Sequence, residues 1–258
     1  MNIKMENIGL VAITLCLIFG VVGVLMLDPI EQDIGYHIFV DQRTIFGIPN
    51  FWNVISNIPF LLVGIMGLCS IFSSQRISLI TDMKISYTLF FIGISLVSFG
   101  SGYYHLWPDN GSLVWDRLPM TIAFMALLSI IAGEFISTKL GKFALWPLVA
   151  FGAFSVFYWH STESTGEGDL RFYVLVQFLP MLVIPLILLF FKSKFTHTKG
   201  YWYLLCAYVL AKGFEHFDEF INNIFFSLSG HSLKLVVVAI GILFLLKAYN
   251  KRELIQPL

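Results

Sequence analysis

The chain has 258 residues, of which 57% are hydrophobic and only 12% charged, and 26 are phenylalanine. So little charge on so long a chain excludes a water-soluble domain and fits a protein whose solvent is the bilayer. Its 16 basic and 16 acidic residues cancel and no basic block occurs, so nucleic acid has no electrostatic handle.

A membrane-spanning helix needs about 20 apolar residues. Such runs are read at roughly residues 8–28, 51–73, 84–105, 114–136, 143–160, 170–191, 200–217 and 231–248, which predicts eight helices. The first follows Lys4, as a secretory signal would. No small-residue cleavage motif precedes the acidic stretch DPIEQD, however, so an uncleaved helix is expected. Residues 29–50 carry Asp33, His37, Asp41 and the turn Gly47-Ile48-Pro49-Asn50, and read as an ordered loop in which His37 is placed to join Asp33 or Asp41 at a metal. Cys16, Cys69 and Cys206 lie inside apolar runs at spacings that suit neither disulfides nor a thiolate metal site; buried packing is expected of them.

With the N-terminus inside, Lys4, Arg76, Lys84, Lys139, Lys142, Lys192, Lys194, Lys199, Lys247, Lys251 and Arg252 are inner, against Arg43, Arg117, Arg171, Lys212 and Lys234 outside. Eleven against five predicts both termini in the cytoplasm. No long linker or low-complexity tract divides the helices, so residues 1–258 read as a single polytopic membrane domain.

The stretch GSGYYHLWPDNGSLVWDRLPM, residues 100–120, holds the most telling polar groups. Ser101 and His105 are four residues apart and share one helix face, Asp116 opens the next helix, and His231 opens the last. Three helices thus bring polar groups to the same leaflet, the periplasmic or lumenal one, under a topology set by lysines and arginines alone. Taken singly, His105 and Asp116 read as interfacial residues solvated by headgroups, and Ser101 as bonding its own helix backbone. Together they suit metal-assisted hydrolysis, with histidines holding Zn²⁺, a carboxylate taking a proton from water, and a hydroxyl supporting an oxyanion. His216 and Asp218, in KGFEHFDEF, are read as helix-end anchors, hydrogen-bonding support or a substitute ligand. His160 pairs with Trp159 in an interfacial aromatic belt, and His197 is solvated on the inner side. A transporter or channel is disfavoured because the mid-membrane positions are mostly Leu, Ile, Val and Phe.

The GSxxxH of Gly100, Ser101 and His105, the Asp of WDRLPM eleven residues later, NFWNVISN at 50–57 and SGHSLK at 229–234 together resemble the alkaline ceramidases, within the seven-helix membrane hydrolases that include the adiponectin receptors. The resemblance spans roughly residues 33–235. It implies an all-α integral membrane protein with a seven-transmembrane-helix core at 51–250, and an additional N-terminal helix and outer loop at 1–50. The implied activity is zinc-dependent hydrolysis of the amide of ceramide or a related N-acylated membrane lipid. In it His105 and His231 are metal ligands, Asp116 handles the water proton and Ser101 supports the oxyanion. The family's second histidine on the last helix is Leu235 here. A catalytic zinc usually has three protein ligands, so a non-catalytic, lipid-binding or receptor-like protein stands as the alternative. The resemblance also implies a Ca²⁺ loop built from Asp33, Asp41 and Asn50, the last replacing an acidic residue.

Overall fold

The computed structural model describes residues 3–73, 77–225 and 228–255; Arg76, counted with the inner basic residues, lies outside the described residues. Helices dominate, with two isolated bridges and no strand among the described residues. Hydrocarbon offers no hydrogen-bond partners, so each spanning segment must satisfy its own backbone, which a helix does.

The long helices are α1 (Ile3–Met26), α4 (Lys84–Leu106), α5 (Asn110–Ile131), α6 (Thr138–Ser164), α7 (Arg171–Phe190), α8 (Lys199–His216) and α10 (Gly230–Lys251). The predicted run 51–73 is instead two helices, α2 (Phe51–Ile55) and α3 (Ile58–Phe72), which together make one span. The chain breaks at Ser56-Asn57, and Pro59 sits in the first turn of α3, where its missing N–H costs nothing. Counting α2 and α3 as one, seven segments among the described residues are long and apolar enough to cross a membrane. The eighth, α8, holds Lys199, Lys212 and Glu215 within 18 residues, yet it packs closely along α10. The result is an all-α integral membrane protein with a seven-helix core, to which α1 adds an eighth helix. A short helix, α9 (Asp218–Phe225), was not expected; none of its residues is buried.

α1 packs on α7 and is otherwise exposed. Phe19, Phe99, Phe143 and Val209 are among the large apolar side chains turned outward, as a bilayer-facing wall requires. The cysteine expectation is corrected here: Cys16 is half-buried, while Cys69 and Cys206 are exposed. A thiol is apolar enough to face hydrocarbon, so helical periodicity alone does not send it inward. Trp159 is also corrected. It is fully buried rather than part of an interfacial belt, donates to Glu163 Oε2 at 3.1 Å and receives the Arg117 guanidinium 4.1 Å from its ring.

At the end of the bundle opposite His105, α5 continues into a π-turn, Ala132–Ile136, that places Glu134 wholly inside. Its Oε1 accepts from Tyr87 Oη at 2.6 Å and Arg252 Nη1 at 2.7 Å, and its Oε2 accepts from Tyr201 Oη at 2.7 Å. Arg252 also donates to Ser78 O and lies flat against Tyr249 and Phe195.

Candidate active site

Two glycines bring the site's helices together. A Cβ on Gly100 would lie 1.9 Å from Trp115 O, so α4 meets α5 backbone to backbone beside Ser101 and Asp116. A Cβ on Gly230 would lie 2.1 Å from Phe214 O, which seats the start of α10 on the end of α8. Caps set the helix starts. Asp109 and Ser112 exchange hydrogen bonds at the head of α5, and Ser229 accepts from Ser232 N at the head of α10.

These contacts bring four predicted residues together. Ser101, His105, Asp116 and His231 are all buried and all line one cavity. His105 Nε2 and His231 Nε2 face each other at 2.8 Å, with their rings nearly perpendicular. Two imidazole nitrogens aimed at one point must share either a proton or a cation. Ser101 Oγ lies 3.4 Å from His105 Nδ1, and the Asp116 side chain lines the cavity beside them. Leu235, one turn beyond His231, lines the same cavity and packs on the apolar core.

The remaining candidates lie outside this cluster. Asp218 Oδ1 accepts from His231 N at 2.9 Å, so it holds the backbone of His231, not its ring. Partial withdrawal from water pushes the half-exposed Asp218 carboxyl above its ordinary range, against the backbone hydrogen bonds of His231 and Gly230 and the charge of Lys234. His216 is exposed with its ring against Phe217. His37 accepts or donates between Tyr104 Oη and Asn110 Oδ1, tying the loop to α4 and α5 and not to Asp33 or Asp41. Asp33 caps a single 3₁₀ turn. Asp41 is ion-paired with Arg43 at 2.7 Å; burial would raise its carboxyl, but the Arg43 hydrogen bonds and charge hold it below the usual value. Asn50 Nδ2 donates to His105 O at 2.8 Å. Among the described residues, no three His, Cys, Asp or Glu side chains gather closely enough to hold a metal.

Several functional-looking residues escaped the sequence reading. Asn57 Nδ2 lies 3.2 Å from His105 Nδ1, and Asn53 Oδ1 accepts from the Ser229 and Ser232 hydroxyls. Asn50, Asn53 and Asn57 recur at helical spacing, a signal that was available in NFWNVISN. Phe39 lies against both histidine rings, its centroid 5.0 and 5.2 Å from theirs, and so screens the pair; nothing in the loop's composition marked it. Arg117, Lys212, Glu215 and Lys234 also line the cavity. Glu215 pairs with Lys212 at 2.6 Å and with Lys234.

The cavity has a volume of about 350 Å³ and is mostly apolar below the histidines. Along α4 its lining runs from Phe90 to His105, roughly 22 Å at 1.5 Å per residue. Tyr36 lids it from the loop, its hydroxyl raised above the ordinary phenol range first by burial and then by the nearby Asp116 and Glu215.

The arrangement is a polar cluster at the head of a deep apolar cavity inside a helical membrane bundle. No curated protein and no solved structure matches the chain. The family model for ceramidases matches residues 44–215, from the loop before α2 to the end of α8, leaving α10 and His231 beyond the matched segment. The chain therefore belongs to the ceramidase family, whose members hydrolyse the amide bond of ceramide.

Proposed function

We propose that this protein is a zinc-dependent amide hydrolase releasing a sphingoid base and a fatty acid from ceramide or a related N-acylated lipid. The observation that carries the reading is the convergence of His105 Nε2 and His231 Nε2, beside Ser101 and Asp116, at the head of the apolar cavity. The donors suit the ion in type and direction. Two ligands at about 2.0–2.1 Å from a tetrahedral zinc lie roughly 3.3 Å apart, so the rings need to part by about half an ångström from their present contact. Residues 51–250 form the hydrolase core in this reading and residues 1–50 an N-terminal addition. Both termini are cytoplasmic and the site is periplasmic or lumenal.

His105 and His231 would hold the ion, which when bound polarises a carbonyl and makes water acidic near neutral pH. The rest falls to the chain's own groups. The cavity takes an acyl chain along α4 and so brings the amide to Ser101 and Asp116. Asp116 accepts a proton from the attacking water as its oxygen bonds to the carbonyl carbon, and then returns that proton to the amide nitrogen as the C–N bond breaks and the amine leaves. The Ser101 hydroxyl, which rests beside the His105 ring, turns to donate to the developing oxyanion. With Nε2 given to the ion, His105 would carry its proton on Nδ1, where the Asn57 amide would accept it by turning its otherwise unpartnered Oδ1 inward; Asn50 holds the His105 carbonyl, and Phe39 packs on both rings.

Leu235 favours a second reading, a lipid-binding protein that has lost catalysis, because it puts hydrocarbon where a third ligand belongs. Calcium at Asp33, Asp41 and Asn50 has less support, since Arg43 already neutralises Asp41 and the Asn50 amide is engaged with His105. Elemental analysis of the detergent-purified protein beside His231→Ala decides between the two main readings. Zinc near one per chain, absent from the variant, together with ceramide turnover supports the hydrolase; bound lipid without zinc or turnover supports the alternative.

A further inference from the structure

The cavity is charged as well as apolar, and its charges do not balance. Arg117, Lys212 and Lys234 line it with only Asp116 and Glu215, three cations to two carboxylates. Glu215 is already shared by Lys212 and Lys234. Arg117 is 5% exposed, and no ion pair joins it to a carboxylate among the described residues. Its Nη2 donates to the neutral Gln32 Oε1 at 2.6 Å, and its plane is held between Trp159 and Tyr173 at 4.1 and 4.6 Å. Its Nη1 is buried with no hydrogen-bond partner. A guanidinium withdrawn from water inside a membrane protein, with one fork of donors unfilled, is costly unless an acceptor arrives.

Resting on the hydrolase reading, we propose that the cavity selects N-acylated lipids whose polar end carries an acidic group, a carboxylate or a phosphate, which sits between Arg117 Nη1 and the Lys234 ammonium. Both cations line the same cavity as Asp116 and Tyr36, so the acidic group enters the space that holds the amide it accompanies. The planar fork of Arg117 matches the two oxygens of such a group. A neutral headgroup leaves that donor unfilled and the excess charge uncompensated. Lys234 is a specificity residue in this scheme, and Arg117 anchors the same group.

The test compares N-acylsphingosine, its 1-phosphate ester and an N-acylglycine of equal acyl length as substrates in mixed micelles at fixed ionic strength. The wild type is expected to turn over at least one acidic substrate with kcat/KM about tenfold or more above the neutral one, and the two acidic probes separate phosphate from carboxylate. Lys234→Met should lower that ratio about tenfold, mainly through KM, while Lys234→Arg restores it. Lys212 still neutralises Glu215 in the Met variant, so its fold is protected from an orphaned carboxylate. The wild-type ratio is a test in itself, whatever the variants do. A ratio of one or less, or an equal loss on neutral and acidic substrates in Lys234→Met, overturns the proposal. Binding of fluorescent analogues of the same probes separates it from the hydrolase reading. Acidic preference in binding that depends on Lys234, without turnover, keeps the subsite and removes the hydrolase; turnover of the neutral lipid without acidic preference does the reverse.

Discussion

The two polar clusters buried in this bundle are built on opposite rules. Around Glu134 the acceptors are filled and the cavity does not reach them: both carboxylate oxygens are occupied, the Arg252 guanidinium lies over the Tyr249 ring, and of its donors Nη2 alone lacks a partner among the described residues. Around His105 donors and charges stand unfinished: two ring nitrogens face each other, Asn57 Oδ1 and Arg117 Nη1 have no partner, and a cavity opens beside them. A completed network holds helices, whereas an incomplete one facing a cavity is ready for a ligand. Burial of charge alone therefore does not mark a functional site; unfilled bonding capacity that opens on a cavity does.

Substitutions sharpen that contrast. Among the largest effects, Asp116→Asn should lower kcat by roughly 10²–10⁴ with the thermal midpoint in detergent scarcely moved; intact turnover would remove Asp116 from the chemistry. His105→Ala should abolish both zinc content and hydrolysis, and unchanged metal occupancy would refute its role as ligand. Glu134→Ala should behave in the opposite sense, costing about 3–5 kcal/mol of stability by leaving Arg252 unpaired, as read by thermal unfolding. Because such a pair is often replaceable by apolar residues, Glu134→Leu with Arg252→Met should recover most of that loss. If the single variant is as stable as the wild type, the inner cluster is not the lock described here.

Leu235→His should raise zinc affinity by about 100-fold, because it adds a third imidazole at i, i+4 from His231; competition with a chelator measures it, and no gain would mean that another group already fills the third place. Asn57→Ala should weaken metal retention by about 10–100-fold through a freer His105 ring, a loss that the same titration detects. The smallest effect belongs to Asp41 and Arg43. The Asp41 carboxyl is depressed in the folded chain, so its contribution is present above the unfolded carboxylate range and disappears as pH falls through the folded value. Arg43→Gln should flatten that acid limb of a stability profile, by at most about 1 kcal/mol for a partner so exposed.

Much of the candidate site was legible before any coordinates. Ser101 and His105 shared a helix face by spacing, and the lysine and arginine bias brought Asp116 and His231 to the same side. The asparagines of NFWNVISN were legible in spacing but not in purpose, since their partners lie up to 179 residues away. Lys234 and Arg117 were counted only as outer charges, because a hydropathy run does not tell whether a charge near its end reaches headgroups or turns into a cavity.

The sequence by itself determined the solvent, the helical class, the approximate spans and the residue types that could meet, because those follow from the length of apolar runs and the helical repeat. Only the tertiary structure decided which polar groups met and which stayed unfilled. Glu134 and Asp116 are both carboxylates on the α5 segment. One is sealed by two tyrosines and an arginine, while the other opens on a cavity. That difference comes from neighbouring helices distant in sequence, and no local pattern along α5 encodes it.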